Sequence, residues 1–333
     1  MVKFLKNIFK FSLICSLPFV LLLSSYIYFD PFKVIFDYDD YSFPFVIPNR
    51  DYVSTSVFIK NYKREQYDSF ILGSSRTLAF KPSYWENYLD EKSKPFMFDA
   101  SKESIYGIYT KLRFLDSRNV PIKNALILFC RDVTFKEVKN HSGHLFIKHP
   151  EVSNESKFKF HLEFFKAYLD VKFLFNFYAY KISGDYKSYM TGYIEKRKIT
   201  FDKITNEINI LDQEKEINES PEKYYQSRKD IFYERTIETT DSENQIKAEQ
   251  LFFLNGIKAI LEKNKTCYKI VLSPLYEQKK FSNKDIKLLK NMFGEKIYDF
   301  SGKNFLTDDK HNYYETSHFR PKVGNLILKK IYQ

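Results

Sequence analysis

Phe70-Ile71-Leu72-Gly73-Ser74-Ser75-Arg76 is an apolar run that stops on three small residues. A strand of this kind is buried on both faces, and the turn that ends it presents a serine hydroxyl at its carboxyl end. Residues 67–72 contain this run, and short apolar runs of the same type recur at 96–100, 125–130, 268–272 and 297–300. Helical patterns lie between them. In residues 103–116, Ile105, Ile108, Leu112 and Leu115 share one face. Ser242-Glu243-Asn244-Gln245 reads as a capping box opening a helix that carries Ile246, Phe253, Ile257 and Ile260. Residues 282–293 carry Ile286, Leu289 and Met292, with Gly294 where a C-terminal cap belongs, and residues 321–331 start on Pro321. Strands alternating with helices imply an α/β layer fold around a parallel sheet.

The interval 135–240 breaks this rhythm, being long, charged and aromatic, with a mostly helical first half. It reads as an insertion after the third strand. Within it, residues 199–210 suit a hairpin turning at Lys203-Ile204-Thr205-Asn206. Ligands of open α/β sheets bind beyond the carboxyl ends of the strands, so an insertion leaving the third strand there would overhang the site and select the substrate.

Near the C-terminus, Tyr313-Tyr314-Glu315-Thr316-Ser317-His318-Phe319 offers a carboxylate and an imidazole three residues apart. A serine hydroxyl is a weak nucleophile until a base takes its proton, and the base works best when a third group fixes its tautomer. The Gly73-Ser74-Ser75 turn and the Glu315-x-x-His318 segment, at the two ends of an α/β pattern, resemble the first and last sequence blocks of the SGNH/GDSL hydrolase family. That resemblance implies a flavodoxin-like three-layer α/β/α sandwich, with Ser75 as nucleophile, His318 as base and Glu315, in place of the family's aspartate, as the orienting acid. It also implies an esterase or O-acyltransferase acting on acyl groups of an envelope or secreted glycan, or an acylated small molecule, with no cofactor. The alternative is a noncatalytic member that binds a glycan or scaffolds polysaccharide assembly proteins.

The family's middle blocks are altered. The oxyanion-hole glycine expected after the second strand falls in Ala100-Ser101-Lys102-Glu103-Ser104, which puts Ser104 among the candidates. The asparagine expected after the third strand is replaced by Arg131. A guanidinium can hold an oxyanion with charge-assisted hydrogen bonds, or pair with Asp132 or another acid and hold the loop. Arg76 has two readings as well, contact with an anionic substrate or a salt bridge bracing the preceding segment. His141, His144 and His149 fit no common zinc spacing, so His144 and His149 are read as substrate contacts or structural residues rather than metal ligands. Trp85 and the tyrosines read as packing residues.

The 333 residues, 44% of them hydrophobic, suffice for one substantial domain. Residues 11–29 are uncharged and mostly apolar, about the ~20 residues that a transmembrane helix needs. Lys3, Lys6 and Lys10 precede them and Asp30, Asp37, Asp39 and Asp40 follow, which places residues 1–10 in the cytoplasm and the rest outside the inner membrane. With no small-x-small cleavage site, and with Tyr26, Tyr28 and Phe29 at the boundary, an uncleaved anchor is favoured over a signal peptide. Residues 30–65 read as an aromatic stalk packed on the domain, and 66–333 as the domain itself. The net charge of +11 accompanies interspersed lysines and glutamates and no nucleic-acid-binding motif, so it reads as a solvated basic surface. Cys130 and Cys267 fall at opposite ends of their strands, too far apart for a disulfide, and read as two buried thiols.

Overall fold

The computed structural model describes residues 2–138, 141–235 and 237–333. α1 (Val2–Phe29) leads into α2 (Arg50–Glu65), β1 (Ser69–Gly73), α3 (Pro82–Trp85), β2 (Pro95–Asp99), α4 (Ile105–Ser117) and β3 (Asn124–Phe129). The long interval that follows carries α5 (Pro150–Ser153), α6 (Lys157–Tyr168), α7 (Val171–Ser183), the hairpin β4 (Ile199–Phe201) and β5 (Ile208–Ile210), α8 (Leu211–Glu219), α9 (Pro221–Gln226) and β6 (Thr239–Thr240). The chain returns through α10 (Ala248–Lys263), β7 (Cys267–Leu272), β8 (Lys279–Lys280), α11 (Asn283–Phe293) and β9 (Ile297–Asp299). A last hairpin, β10 (Tyr313–Glu315) and β11 (His318–Phe319), precedes α12 (Pro321–Tyr332).

The sheet has five parallel strands in the order β2-β1-β3-β7-β9, built from the five apolar runs of the sequence. Successive strand residues point to opposite faces, and both faces are apolar because both are covered. Phe70, Leu72, Phe98, Ile127 and Ile270 pack with Val57 and Phe58 of α2, Ile108 and Leu112 of α4, and Ile257 of α10. Ile71, Leu126, Leu128 and Val271 face the other way, onto Trp85, Val323, Ile327 and Leu328. Each such side chain contributes about 1.5–3 kcal/mol when fully buried. The chain leaves β1 for one side to make β2 and crosses back for β3, which opens a crevice beyond the carboxyl ends of β1 and β3.

Two expectations need revision, and one is sharpened. The stalk is part of the core: α2, capped by Asn49, whose side chain accepts from the Tyr52 amide at 2.9 Å, forms one element of a helical layer. The helix expected to open at Ser242 begins at Ala248 instead. Its would-be cap is used elsewhere: Ser282 Oγ donates to Asn244, and the amides of Gln245 and Ile246 donate to Asp285 at the start of α11. Of the two cysteines, Cys130 is buried but Cys267 is exposed. They do lie at opposite ends of the β3–β7 ladder, in which Asn124 pairs with Cys267 and Phe129 with Leu272.

α1 is an apolar helix long enough to cross a membrane, with mean hydropathy 1.9 over its most apolar window. Behind the sheet crevice lies a buried quartet of charges. Lys148 Nζ is 2.7 Å from Asp51 and also bonds Glu103, while Lys111 lies 3.3 Å from Asp51 and 3.2 Å from Glu103. Two cations against two anions make the group neutral, which is the condition under which charges survive burial. It ties the insertion's Lys148 to α2 and α4.

Candidate active site

Ser75 opens the 3-10 turn Ser75–Ala79 directly after β1. Gly73 makes this turn possible: its φ is +148°, and a Cβ there would lie 2.9 Å from the Leu128 carbonyl of β3. From below, Gly324 lets α12 press against the same turn, because a Cβ at 324 would lie 2.0 Å from the Ala79 carbonyl oxygen.

Ser75 Oγ and His318 Nε2 are 2.8 Å apart, and His318 Nδ1 is hydrogen-bonded to Glu315 Oε1. The spacing of Glu315 and His318 works through a β-hairpin rather than a helical turn: the two residues are cross-strand partners in β10 and β11, with Thr316-Ser317 between them. The other Glu315 oxygen accepts from the Ser317 amide at 2.6 Å. Burial pushes the His318 pKa down, Arg76 and Arg197 add to that effect, and the pull of Glu315 does not cancel it, so the imidazole is held below its ordinary 6.5. Burial pushes Glu315 up, but the bonds and charge of His318, the Ser317 amide and Arg76 outweigh it and hold the carboxyl below its ordinary value. A neutral base thus sits on the hydroxyl with an ionised carboxylate behind it.

The hairpin is held from both sides. Arg76 donates to the Ser317 carbonyl at 2.6 Å and, through both terminal nitrogens, to Asp132 at 2.7 Å. It therefore clamps the histidine turn to the β3 loop, and its salt bridge runs to Asp132 rather than to the preceding segment. On the far side the insertion's α9 supplies Tyr224, whose hydroxyl donates to the Tyr314 carbonyl, and Tyr225, whose hydroxyl donates to the Tyr313 carbonyl.

Ser75 and His318 line a cavity of about 140 Å³. Its apolar wall is Ile47, Pro48, Leu78 and the insertion hairpin residues Ile199, Phe201, Ile208 and Ile210, and its polar wall is Arg50, Ser101, Glu195 and Arg197. The insertion does overhang Ser75. Arg197 is held by Glu195 at 2.8 Å. Arg50 pairs with the buried Asp99 and donates to the Ser75 carbonyl at 3.3 Å, and its buried Nε has no hydrogen-bond partner among the described residues.

The remaining sequence candidates lie elsewhere. Arg131 does not line the Ser75 cavity and is bound to Asp241 at 2.9 Å and to Glu277, so it holds the loop, although its partner is not Asp132. Ser104 caps α4 by accepting from the Gly107 amide, and its hydroxyl bonds the Val138 carbonyl and His141. The loop after β2 reaches the cavity through Ser101 instead. His149 caps α5 through Nδ1 and packs on Tyr52, while His144 packs on Phe32 and Phe164. None of these three residues lines the Ser75 cavity.

Arg50 and Arg197 were missed because no motif announces them, whereas Ser101 lies in the altered block after the second strand from which Ser104 was taken. Of the two arginines only Arg50 left a trace: Asn49 ahead of an apolar face at Val53 and Val57 marks a helix start in the segment read as a stalk. No protein-family model matches the chain, and no curated protein matches it either.

Proposed function

We propose that the protein is a membrane-anchored serine esterase or O-acyltransferase of the SGNH type, acting on short acyl esters, such as acetyl, of an envelope or secreted polysaccharide. The observation that carries this reading is the Ser75–His318–Glu315 chain of hydrogen bonds, assembled from residues 243 positions apart at the carboxyl end of a buried parallel strand. The strand order β2-β1-β3-β7-β9 supports it, being the 2-1-3-4-5 order of flavodoxin-like folds. Charge asymmetry around the uncharged segment 11–29, with lysines in the first turns of α1 and aspartates after the helix, supports an N-terminus in the cytoplasm and a site outside the inner membrane.

Ser75 Oγ attacks the ester carbonyl while its proton passes to His318 Nε2, and Glu315 stabilises the resulting imidazolium. The tetrahedral intermediate collapses to an acyl-serine, and the leaving alkoxide takes the proton from His318. Water or an acceptor hydroxyl then repeats the sequence in reverse, with His318 first as base and then as acid. Arg50 takes the oxyanion role first assigned to Arg131, because its unpartnered Nε and its contact with the Ser75 carbonyl put a guanidinium beside the nucleophile. The narrow apolar wall fits a short acyl group better than a long one.

The test is intact-mass analysis of the full chain in detergent after exposure to a fluorophosphonate. A single adduct, formed as the serine oxygen bonds phosphorus and fluoride leaves, should be lost in Ser75→Ala and slowed in His318→Ala. A second reading, a noncatalytic glycan-binding or scaffold protein, draws on one observation: Arg131 at the end of β3 is spent on Asp241 and Glu277. Folded wild-type protein that forms no adduct would favour that reading.

A further inference from the structure

α7 is apolar on two faces. Phe173 and Phe177 are buried against α6 and α1, as expected of a packed helix. At 100° per residue, Val171, Phe175 and Ile182 fall on another side, and these are 78%, 63% and 85% exposed. A packed helix with a second, exposed apolar face calls for a further partner, either more protein or lipid.

Contacts with α1 decide between them. The Phe165 ring of α6 lies 5.8 Å from Phe19 and 5.3 Å from Tyr26, Tyr168 Oη donates to Ser25 at 2.8 Å, and Phe177 stands 5.7 Å from Phe29. The α6–α7 hairpin thus grips α1 from Phe29 back to Phe19, about 15 Å along the helix. That stretch belongs to the uncharged segment 11–29, the part of α1 suited to hydrocarbon. Any membrane that α1 crosses therefore meets the corner of the hairpin as well.

We infer that α7 is a second membrane contact, a helix lying in the outer interfacial layer with Val171, Phe175 and Ile182 turned into lipid. The charges nearby fit this position. Lys172 is exposed, and Lys181 reaches over the Phe29 and Phe45 rings at 5.0 and 5.3 Å, an exposed amphipathic side chain that brings its charge to the end of α1 where headgroups would lie. Asp170 is satisfied as the cap of α7, accepting from the Phe173 amide at 2.8 Å. An amphipathic surface of this kind buries its apolar side roughly 5–10 Å into the headgroup boundary, most firmly where the lipid is anionic. The inference rests on reading α1 as a membrane span and is independent of the chemistry at Ser75.

The test uses full-length protein carrying Cys15→Ser and Cys267→Ser, with one added cysteine for a bimane label: Phe175→Cys or Ile182→Cys in α7, Leu17→Cys in α1, or Lys284→Cys in α11. Each is reconstituted in phosphatidylcholine–phosphatidylglycerol vesicles with and without bromines on the upper acyl chains. The α7 labels should lose most of their fluorescence to brominated lipid, as the Leu17 label does, while the Lys284 label stays bright. Bright α7 labels beside a quenched Leu17 label overturn the inference and leave the anchor standing. Bright labels at all sites overturn the anchor and the inference together. If the α7 labels ignore bromine but shift with protein-to-lipid ratio, a second copy covers the face and the inference fails.

Discussion

The loops that leave β1 and β3 begin alike, as buried apolar strands ending in a short polar turn at the same edge of the crevice, yet they do different work. The β1 loop presents Ser75 to His318, whereas the β3 loop sends Arg131 to Asp241 and Glu277. The side chains explain the difference. A serine hydroxyl stays where its backbone puts it, so a strand, a glycine and a tight turn fix its position. An arginine spans several rotatable bonds and goes to the best counter-charge in reach, and Asp241 lies 110 positions along the chain.

Ser75→Ala gives the sharpest break in that comparison: it should slow fluorophosphonate adduct formation by at least about 10⁴-fold, since the nucleophile of such a unit has no substitute. Glu315→Gln should cost up to about 10⁴-fold, by leaving His318 without its counter-charge and favouring the wrong tautomer. Arg50→Met, made together with Asp99→Asn so that no buried carboxylate is stranded, should lower the labelling rate by about 10²–10³-fold, the usual loss for one oxyanion donor. Unchanged labelling there, with thermal unfolding intact, would take the oxyanion role away from Arg50.

The pH–rate profile should show activity falling with acid, as His318 takes a proton and ceases to be a base, and the midpoint should lie below 6.5 because its pKa is lowered. Arg197→Gln removes one of the charges holding it down and should move that midpoint upward. Stability should fall over the same range. His141 and His149 are depressed to about 4 by burial, so between 6.5 and about 4 the unfolded chain binds more protons and the melting temperature drops as pH falls. Arg131→Met completes the comparison from its quiet side. The labelling rate should hold within about twofold, while urea unfolding shows a loss of about 2–3 kcal/mol, below the usual cost of breaking a buried pair because Lys279 still reaches Asp241 at 2.7 Å.

The same distinction separates what could be read in advance from what could not. Five strands, the Ile199–Ile210 hairpin and α11 with its Ser282 and Gly294 caps follow from patterns within a few residues of one another. Ser75, Glu315 and His318 were legible because a turn and a three-residue spacing carry them. Arg50 and Arg197 were not, because they reach the cavity through the packing of α2 and the insertion, which no local pattern encodes; Ser101 was legible only as part of its block, since the block does not say which of its serines faces the cavity. The capping signal at Ser242 failed for a related reason: the groups it would have capped found a better acceptor in Asp285, on another helix.

The grip of α6 and α7 on α1 also bears on how the protein can be cut, grafted and handled. Cleaving before Asp30 would lay bare Phe165, Tyr168, Phe177 and Tyr178, so a truncated chain should aggregate or demand detergent even though its sheet is whole. Replacing α1 with a lipid tail or an unrelated apolar helix would not restore that surface. Swaps that succeed should be those that keep Phe19, Ser25, Tyr26 and Phe29, whatever fills the rest of the helix.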